Sequence, residues 1–269
     1  MFAAMGLVHH RRGTGEPLVL VHGVGSRWQV WTPVLDLLAA EHDVIAVDLP
    51  GFGASLPDGT VPSVAGLAVR LEALFAELGL QRPHVAGNSM GGGIALELAR
   101  RGSVASATAV SPVGFWTARE RAFSVGSIKA SLRLLPALRP ALPALVATGA
   151  GRTLLFEQYF RRPWRLTAEE ALAGADALIG SASTPAALEL FGQHTFRDPR
   201  ALDATPVTIA WGDHDYVLLT RQRERARTML PRARHVELPG CGHVPFSDDP
   251  ALLATVLLAG ARTTPLVLG

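Results

Sequence analysis

Ser89 stands in Gly87-Asn88-Ser89-Met90-Gly91, where its surroundings suit a nucleophile. An apolar run, Pro83 to Gly87, leads into it, and a helical pattern follows at once. A serine that attacks a carbonyl carbon must project its hydroxyl from a sharp strand-to-helix turn, and glycines on either side keep that turn free of clashing side chains. The helix start also directs its N-terminal N–H groups and positive dipole end at the site. The expected chemistry is acyl transfer through Ser89.

A serine hydroxyl is a weak nucleophile without a base. Of the nine histidines, His243 is the expected base, because Gly240-Cys241-Gly242-His243 follows the last apolar run. His9 and His10 precede the core, and His42, His84 and His235 fall in or beside strands. His22 reads as structural, and His194 reads as a substrate contact. The base needs an orienting carboxylate. Gly212-Asp213-His214-Asp215 follows the run that ends at Trp211; Asp215, further out, is preferred, with Asp213 as the alternative. No carboxylate lies between Gly102 and Arg119, which disfavours an acid after the earlier strand. A tetrahedral intermediate needs two N–H donors for its oxyanion. Met90, after the nucleophile, and Val24, in His22-Gly23-Val24-Gly25, are the candidates. That loop lacks the third glycine of a dinucleotide site, as does Gly51-Phe52-Gly53, and Lys129 is not preceded by the glycine of a phosphate loop. No metal and no organic cofactor is implied.

These residues must be held by regular elements. Six apolar runs, Pro17 to His22, His42 to Asp48, Pro83 to Gly87, Val104 to Val110, Pro206 to Trp211 and Ala233 to Leu238, each end at a glycine or a polar turn. They read as parallel strands buried on both faces. Helical patterns alternate with them: Trp28 to Ala40, Val64 to Leu78, Ser89 to Arg101, Leu218 to Leu230 and Pro250 to Ala259. The alternation implies an α/β fold, a mainly parallel sheet with helices on both faces. Residues 114–203 break it, with helical periodicity near 117–135, 151–160, 167–180 and 185–192 and no convincing strand. They read as a helical cap inserted into a core formed by 1–113 and 204–269. Trp28, near the entrance, and Trp116 and Tyr159 of the cap are available as substrate contacts.

The chain of 269 residues is 48% hydrophobic and 18% charged, enough for a large buried core. A formal net charge of +2 gives no support to a nucleic-acid partner. The charge is uneven, however. Residues 119–165 hold eight Arg and Lys129 against Glu120 and Glu157. This is either a solvated basic face or a surface that attracts an anionic substrate or a membrane. One cysteine, Cys241, excludes an intramolecular disulfide and fits a cytoplasmic location. Met1 to Val8 lacks a secretory pattern, and no apolar stretch is long enough for a membrane span.

With these residues in hand, the chain resembles the α/β-hydrolase superfamily. The resemblance rests on His22 to Gly25, Asp48-Leu49-Pro50-Gly51-Phe52-Gly53-Ala54-Ser55, Gly87 to Gly92, Trp211 to Asp215 and Gly242-His243. It implies an eight-stranded, mostly parallel sheet, a helical lid after the sixth strand, and Asp215 as the acid. Asn88-Ser89-Met90-Gly91-Gly92 is similar to the nucleophile turn of meta-cleavage-product hydrolases, which cut C–C bonds in dienoic acids. Those enzymes usually carry tryptophan after the catalytic histidine, where this chain has Val244. Haloalkane dehalogenases and epoxide hydrolases share the architecture but use an aspartate nucleophile, against which Ser89 argues. The expected activity is therefore hydrolysis of a small carboxylic ester. C–C bond hydrolysis is the first alternative, and a catalytically silent ligand-binding member of the fold is the second.

Overall fold

All six apolar runs become strands of one sheet in a computed structural model of the protein, which describes residues 6–196, 198–202 and 204–262. Met1 to Met5, part of the stretch read for a leader, lie outside the described residues. The strands are β1 (His9–Arg12), β2 (Pro17–Val21), β3 (Asp43–Val47), β4 (His84–Asn88), β5 (Ser106–Val110), β6 (Val207–Gly212) and β7 (Arg234–Leu238). Their order is β1-β3-β2-β4-β5-β6-β7, with β1 alone antiparallel.

The sheet has seven strands among the described residues, one fewer than the resemblance implies, and the helical insertion follows the fifth. Before His9 only Gly6 to Val8 is described, and it forms no strand. β1 escapes an apolar-run reading because its sequence is His-His-Arg-Arg. It is an edge strand whose outward residues stay in water, and Arg11 pairs with Asp43 of β3. β7 also departs from expectation. It lies at the other edge and is buried fully only at Leu238, so it needs no apolar residues on both faces.

Ten α-helices are found among the described residues: α1 (Thr32–Ala39), α2 (Val64–Glu77), α3 (Met90–Arg100), α4 (Ala118–Leu138), α5 (Leu142–Val146), α6 (Gly149–Phe156), α7 (Ala168–Gly180), α8 (Thr184–Gln193), α9 (Arg221–Met229) and α10 (Pro250–Gly260). Side chains alternate across a strand, so one sheet takes two layers. Val19, Val21, Ile45, Val85, Ala107 and Ile209 face α2 and α3. Leu18, Leu20, Val44, Ala86 and Val110 face α1 and α10. Local signals set the helix starts. Ser63 accepts the Gly66 N–H at 3.1 Å, and Thr117–Glu120 and Thr167–Glu170 form capping boxes for α4 and α7.

Helices α4 to α8 lie between β5 and β6, and no strand interrupts them among the described residues. α4 runs through Pro136 in its last turn, where the missing N–H disturbs little of the helix. Leu135, Leu142, Val146, Phe156 and Leu166 make a small apolar core of this segment's own, while Ile128, Leu188 and Phe191 join the main core.

Candidate active site

Parallel strands bring their C-terminal ends to one edge, and loops there collect chemistry. β2, β4, β6 and β7 run parallel in one sheet, so the loops after Val21, Asn88, Gly212 and Leu238 open on the same edge.

Ser89 occupies the turn between β4 and α3 with φ 57° and ψ −115°, a conformation that L-residues avoid. Such backbone costs about 1–3 kcal/mol and persists only where its surroundings over-determine it. Here the Ser89 N–H donates to Val110 O at 2.9 Å, and Ser89 O accepts from the N–H groups of Gly93 and Val113 at 3.0 and 3.2 Å. Gly87 and Gly91 are required by space: a Cβ on Gly91 would collide with the Val21 carbonyl, and one on Gly87 with the Gly91 carbonyl. The helix therefore starts in backbone contact with β2.

His243 Nδ1 lies 2.8 Å from Asp215 Oδ2, with both residues buried. Asp215 Oδ1 accepts the N–H groups of Val217 and Leu218 at 2.9 and 2.7 Å, which fixes the carboxylate. Asp213 is engaged elsewhere. Its Oδ1 is 2.6 Å from His214 Nδ1 and accepts the Cys241 N–H at 3.2 Å. With Nδ1 bound to Asp215, the free ring nitrogen of His243 is Nε2.

The loop after β2 closes the site from the other side. A Cβ on Gly23 would sit 3.2 Å from Ser89 Cβ. His22 braces this loop: Nε2 accepts the Leu49 N–H at 3.1 Å, so Nδ1 carries the proton that Gly23 O accepts at 2.7 Å. Burial pushes the His22 imidazole below its ordinary pKa, which keeps that tautomer neutral. Among the described residues neither the Val24 nor the Met90 N–H has a protein acceptor.

These groups surround a cavity of about 60 Å³. Ser89, His243, Val24 and Tyr159 line it, together with Val30, Ile128, Leu178, Val217 and Val244. Among the described residues the lining holds no Asp, Glu, Arg or Lys. Of the four side chains read as substrate contacts, only Tyr159 is brought to it; its hydroxyl donates to Ser131 Oγ at 3.0 Å. Trp28 stacks on His10 at 4.6 Å, and Trp116 donates through Nε1 to His194 O at 2.9 Å. The His194 ring lies against Gly114, with its pKa lowered by burial. Each is held away from the cavity by local packing.

Two further residues, with no role evident from the sequence, join the pieces. Asn88 Nδ2 donates to His243 O at 3.0 Å, tying the nucleophile turn to the histidine loop. Asp248 is fully buried, and its carboxylate accepts the N–H groups of Gly242, Arg161 and Arg162 at 2.8, 2.9 and 2.6 Å. The Val244 N–H donates to Tyr159 O at 2.8 Å beside it. The helical insertion and the histidine loop are thus held by one carboxylate. Among the described residues no group of three His, Cys, Asp or Glu could hold a metal ion.

Residues 18–256 match the model of the alpha/beta hydrolase family. The chain belongs to this family. The hydrolase is 31% identical to an uncharacterized protein of Mycobacterium tuberculosis over 264 residues, which cover 94% of this chain and 77% of the relative. It is 28% identical to Lipase 3 of Moraxella sp., across 87% of this chain and 74% of that one. Among solved structures it is similar to a bacterial membrane phospholipase A, with a TM-score of 0.74 and 28% identity over 96% of this chain and 88% of that chain.

Proposed function

We propose that this hydrolase cleaves uncharged carboxylic esters through Ser89, His243 and Asp215. The observation that carries the reading is the pairing of His243 with Asp215 beside a strained, buried Ser89 in one apolar cavity. In this reading Asp215 orients His243, and His243 Nε2 takes the Ser89 hydroxyl proton. Ser89 Oγ attacks the ester carbonyl, and the Val24 and Met90 N–H groups hold the oxyanion. Collapse expels the alcohol, which receives the proton from His243. Water then gives a proton to His243 and attacks the acyl-enzyme, releasing the acid and restoring Ser89.

The relatives named lipase and membrane phospholipase A support an ester as the bond cleaved. The cavity supports the absence of charge on the acyl group. A dienoic acid brings a carboxylate into the site, and a buried carboxylate needs a cation or several donors. Among the described residues the lining provides no Arg or Lys. The volume also points to a short acyl group, since pockets for drug-sized ligands run to about 300–1,000 Å³. Longer chains require α4 and α7 to part over Ile128 and Leu178. We read residues 114–203 as the cap that sets this limit, and place the reaction in the cytoplasm. Comparing turnover of p-nitrophenyl butyrate with that of a 2-hydroxy-6-oxo-dienoate tests the reading. It expects rapid ester cleavage and negligible C–C cleavage; the reverse order would overturn it.

A further inference from the structure

α4 has two unlike faces. Its inward side buries Ile128 and Leu135, and Ile128 reaches the cavity at Ser89. On the opposite side, at helical spacing, stand Arg119, Phe123, Lys129, Arg133 and Leu134. Phe123 is 52% exposed and Leu134 is 55% exposed. The helix has one acid, Glu120, and that side chain is buried and bound by Thr117 and Arg225. Lys129 meets Glu189 at 3.3 Å, with both side chains largely in water. Arg119 and Arg133 have no ion-pair partner among the described residues.

An ordinary solvated helix face mixes acids with bases and keeps its large apolar side chains inside. This face does neither. Phe123 and Leu134 are separated by about 16 Å along the axis at 1.5 Å per residue. Small residues fill the space between the cations, at Gly126 and Ala130. The face is therefore flat and cationic, with apolar side chains towards both ends, which suits a plane better than a groove. That is the chemistry of a helix lying in the headgroup region of an anionic bilayer: apolar groups reach the acyl boundary while guanidinium and ammonium groups meet phosphate. Leu154 and Trp164, 73% and 51% exposed, add apolar surface to the same inserted segment. Among the described residues no helix is long and apolar enough to cross a membrane, so contact through this segment would be peripheral.

We propose that the outer face of α4 docks on a bilayer surface rich in anionic phospholipid. Phe123 and Leu134 insert, and Arg119, Lys129 and Arg133 contact headgroups. Docking would bring the Ser89 cavity within about one helix diameter, roughly 10 Å, of the lipid surface. The inference stands on charge and exposure and does not depend on which bond the enzyme cleaves.

The test is co-sedimentation of the full chain with vesicles of phosphatidylcholine alone and of phosphatidylglycerol mixed with phosphatidylcholine, at low and high salt. Ester turnover on a soluble substrate is followed in parallel. The proposal expects binding to the mixed vesicles at least about tenfold above binding to neutral ones, and lower in high salt. Arg119→Gln with Arg133→Gln, and separately Phe123→Ser with Leu134→Ser, should each reduce partition about tenfold, with soluble-ester turnover and circular dichroism unchanged. Equal binding to both vesicle types, no binding, or binding indifferent to both double variants would overturn it. Binding to a soluble polyanion but to neither vesicle would assign the face to an acidic macromolecule instead. Loss of ester turnover in the wild type would bear on the proposed chemistry and leave the vesicle result standing.

Discussion

Asp215 Oδ2 lies 2.8 Å from His243 Nδ1, while Asp215 Oδ1 is held by two backbone N–H groups of its own loop. The carboxylate is thus fixed before it fixes the imidazole. Asp215→Asn replaces an acceptor with an amide and upsets the tautomer that leaves Nε2 free to accept a proton. The expected loss in kcat on a short ester is about a thousandfold or more, with KM little changed. Asp213→Asn should turn over close to wild type, since Asp213 faces His214 and Cys241. Equal losses in the two variants would contradict the assignment.

Asp248 accepts three backbone N–H groups from two segments far apart in the chain, Gly242 on one side and Arg161 and Arg162 on the other. Asp248→Ala strands buried donors at about 1–3 kcal/mol each. The variant should lose roughly 3 kcal/mol or more in urea unfolding, and ester turnover should fall as the His243 loop loosens. An unchanged urea midpoint would show that water or another group takes over these bonds.

Much of this site was legible in the chain, for a physical reason. Parallel strands place the loops after Val21, Asn88, Gly212 and Leu238 at one edge, so order along the chain predicts proximity of Val24, Ser89, Asp215 and His243. The cavity wall was not legible. Val30, Ile128, Leu178, Val217 and Val244 are aliphatic and follow the same periodicity as core residues. Trp28, Trp116 and His194 invite a binding role by type, yet each finds its partner in neighbouring packing. Asp248 left no trace because its partners are backbone groups, which any residue supplies. β1 was invisible because an exposed edge strand can be wholly polar.

Cys241 sits two positions from His243, but burial, with the nearby Asp248, Asp249 and Asp213 charges, pushes its thiol up to about 12. A thiol at that value carries almost no thiolate near neutrality. Iodoacetamide at pH 8 should leave the folded protein unmodified and active, and should alkylate Cys241 once urea unfolds the chain. Rapid modification of the folded protein, read by intact mass, would contradict this burial.

Burial holds His22 and His194 below the ordinary histidine pKa. Unfolded, both titrate near 6.5. Below that pH the unfolded chain binds protons that the folded chain refuses, so their contribution to stability is complete above about pH 6.5 and is lost as the pH falls. Thermal midpoints should drop between pH 7.5 and 5, and the drop should be smaller in a His22→Asn, His194→Asn variant. A midpoint flat over that range in the wild type would contradict buried, neutral imidazoles.

Acyl transfer through Ser89 requires that its Oγ form the covalent intermediate. Treatment of the folded protein with a fluorophosphonate, followed by peptide mass mapping, tests it most directly. A single adduct is expected on the peptide carrying Ser89, absent in Ser89→Ala and strongly slowed in His243→Ala, with ester turnover lost in step with labelling. An active protein that stays unlabelled, or that carries its adduct on another residue, would contradict it.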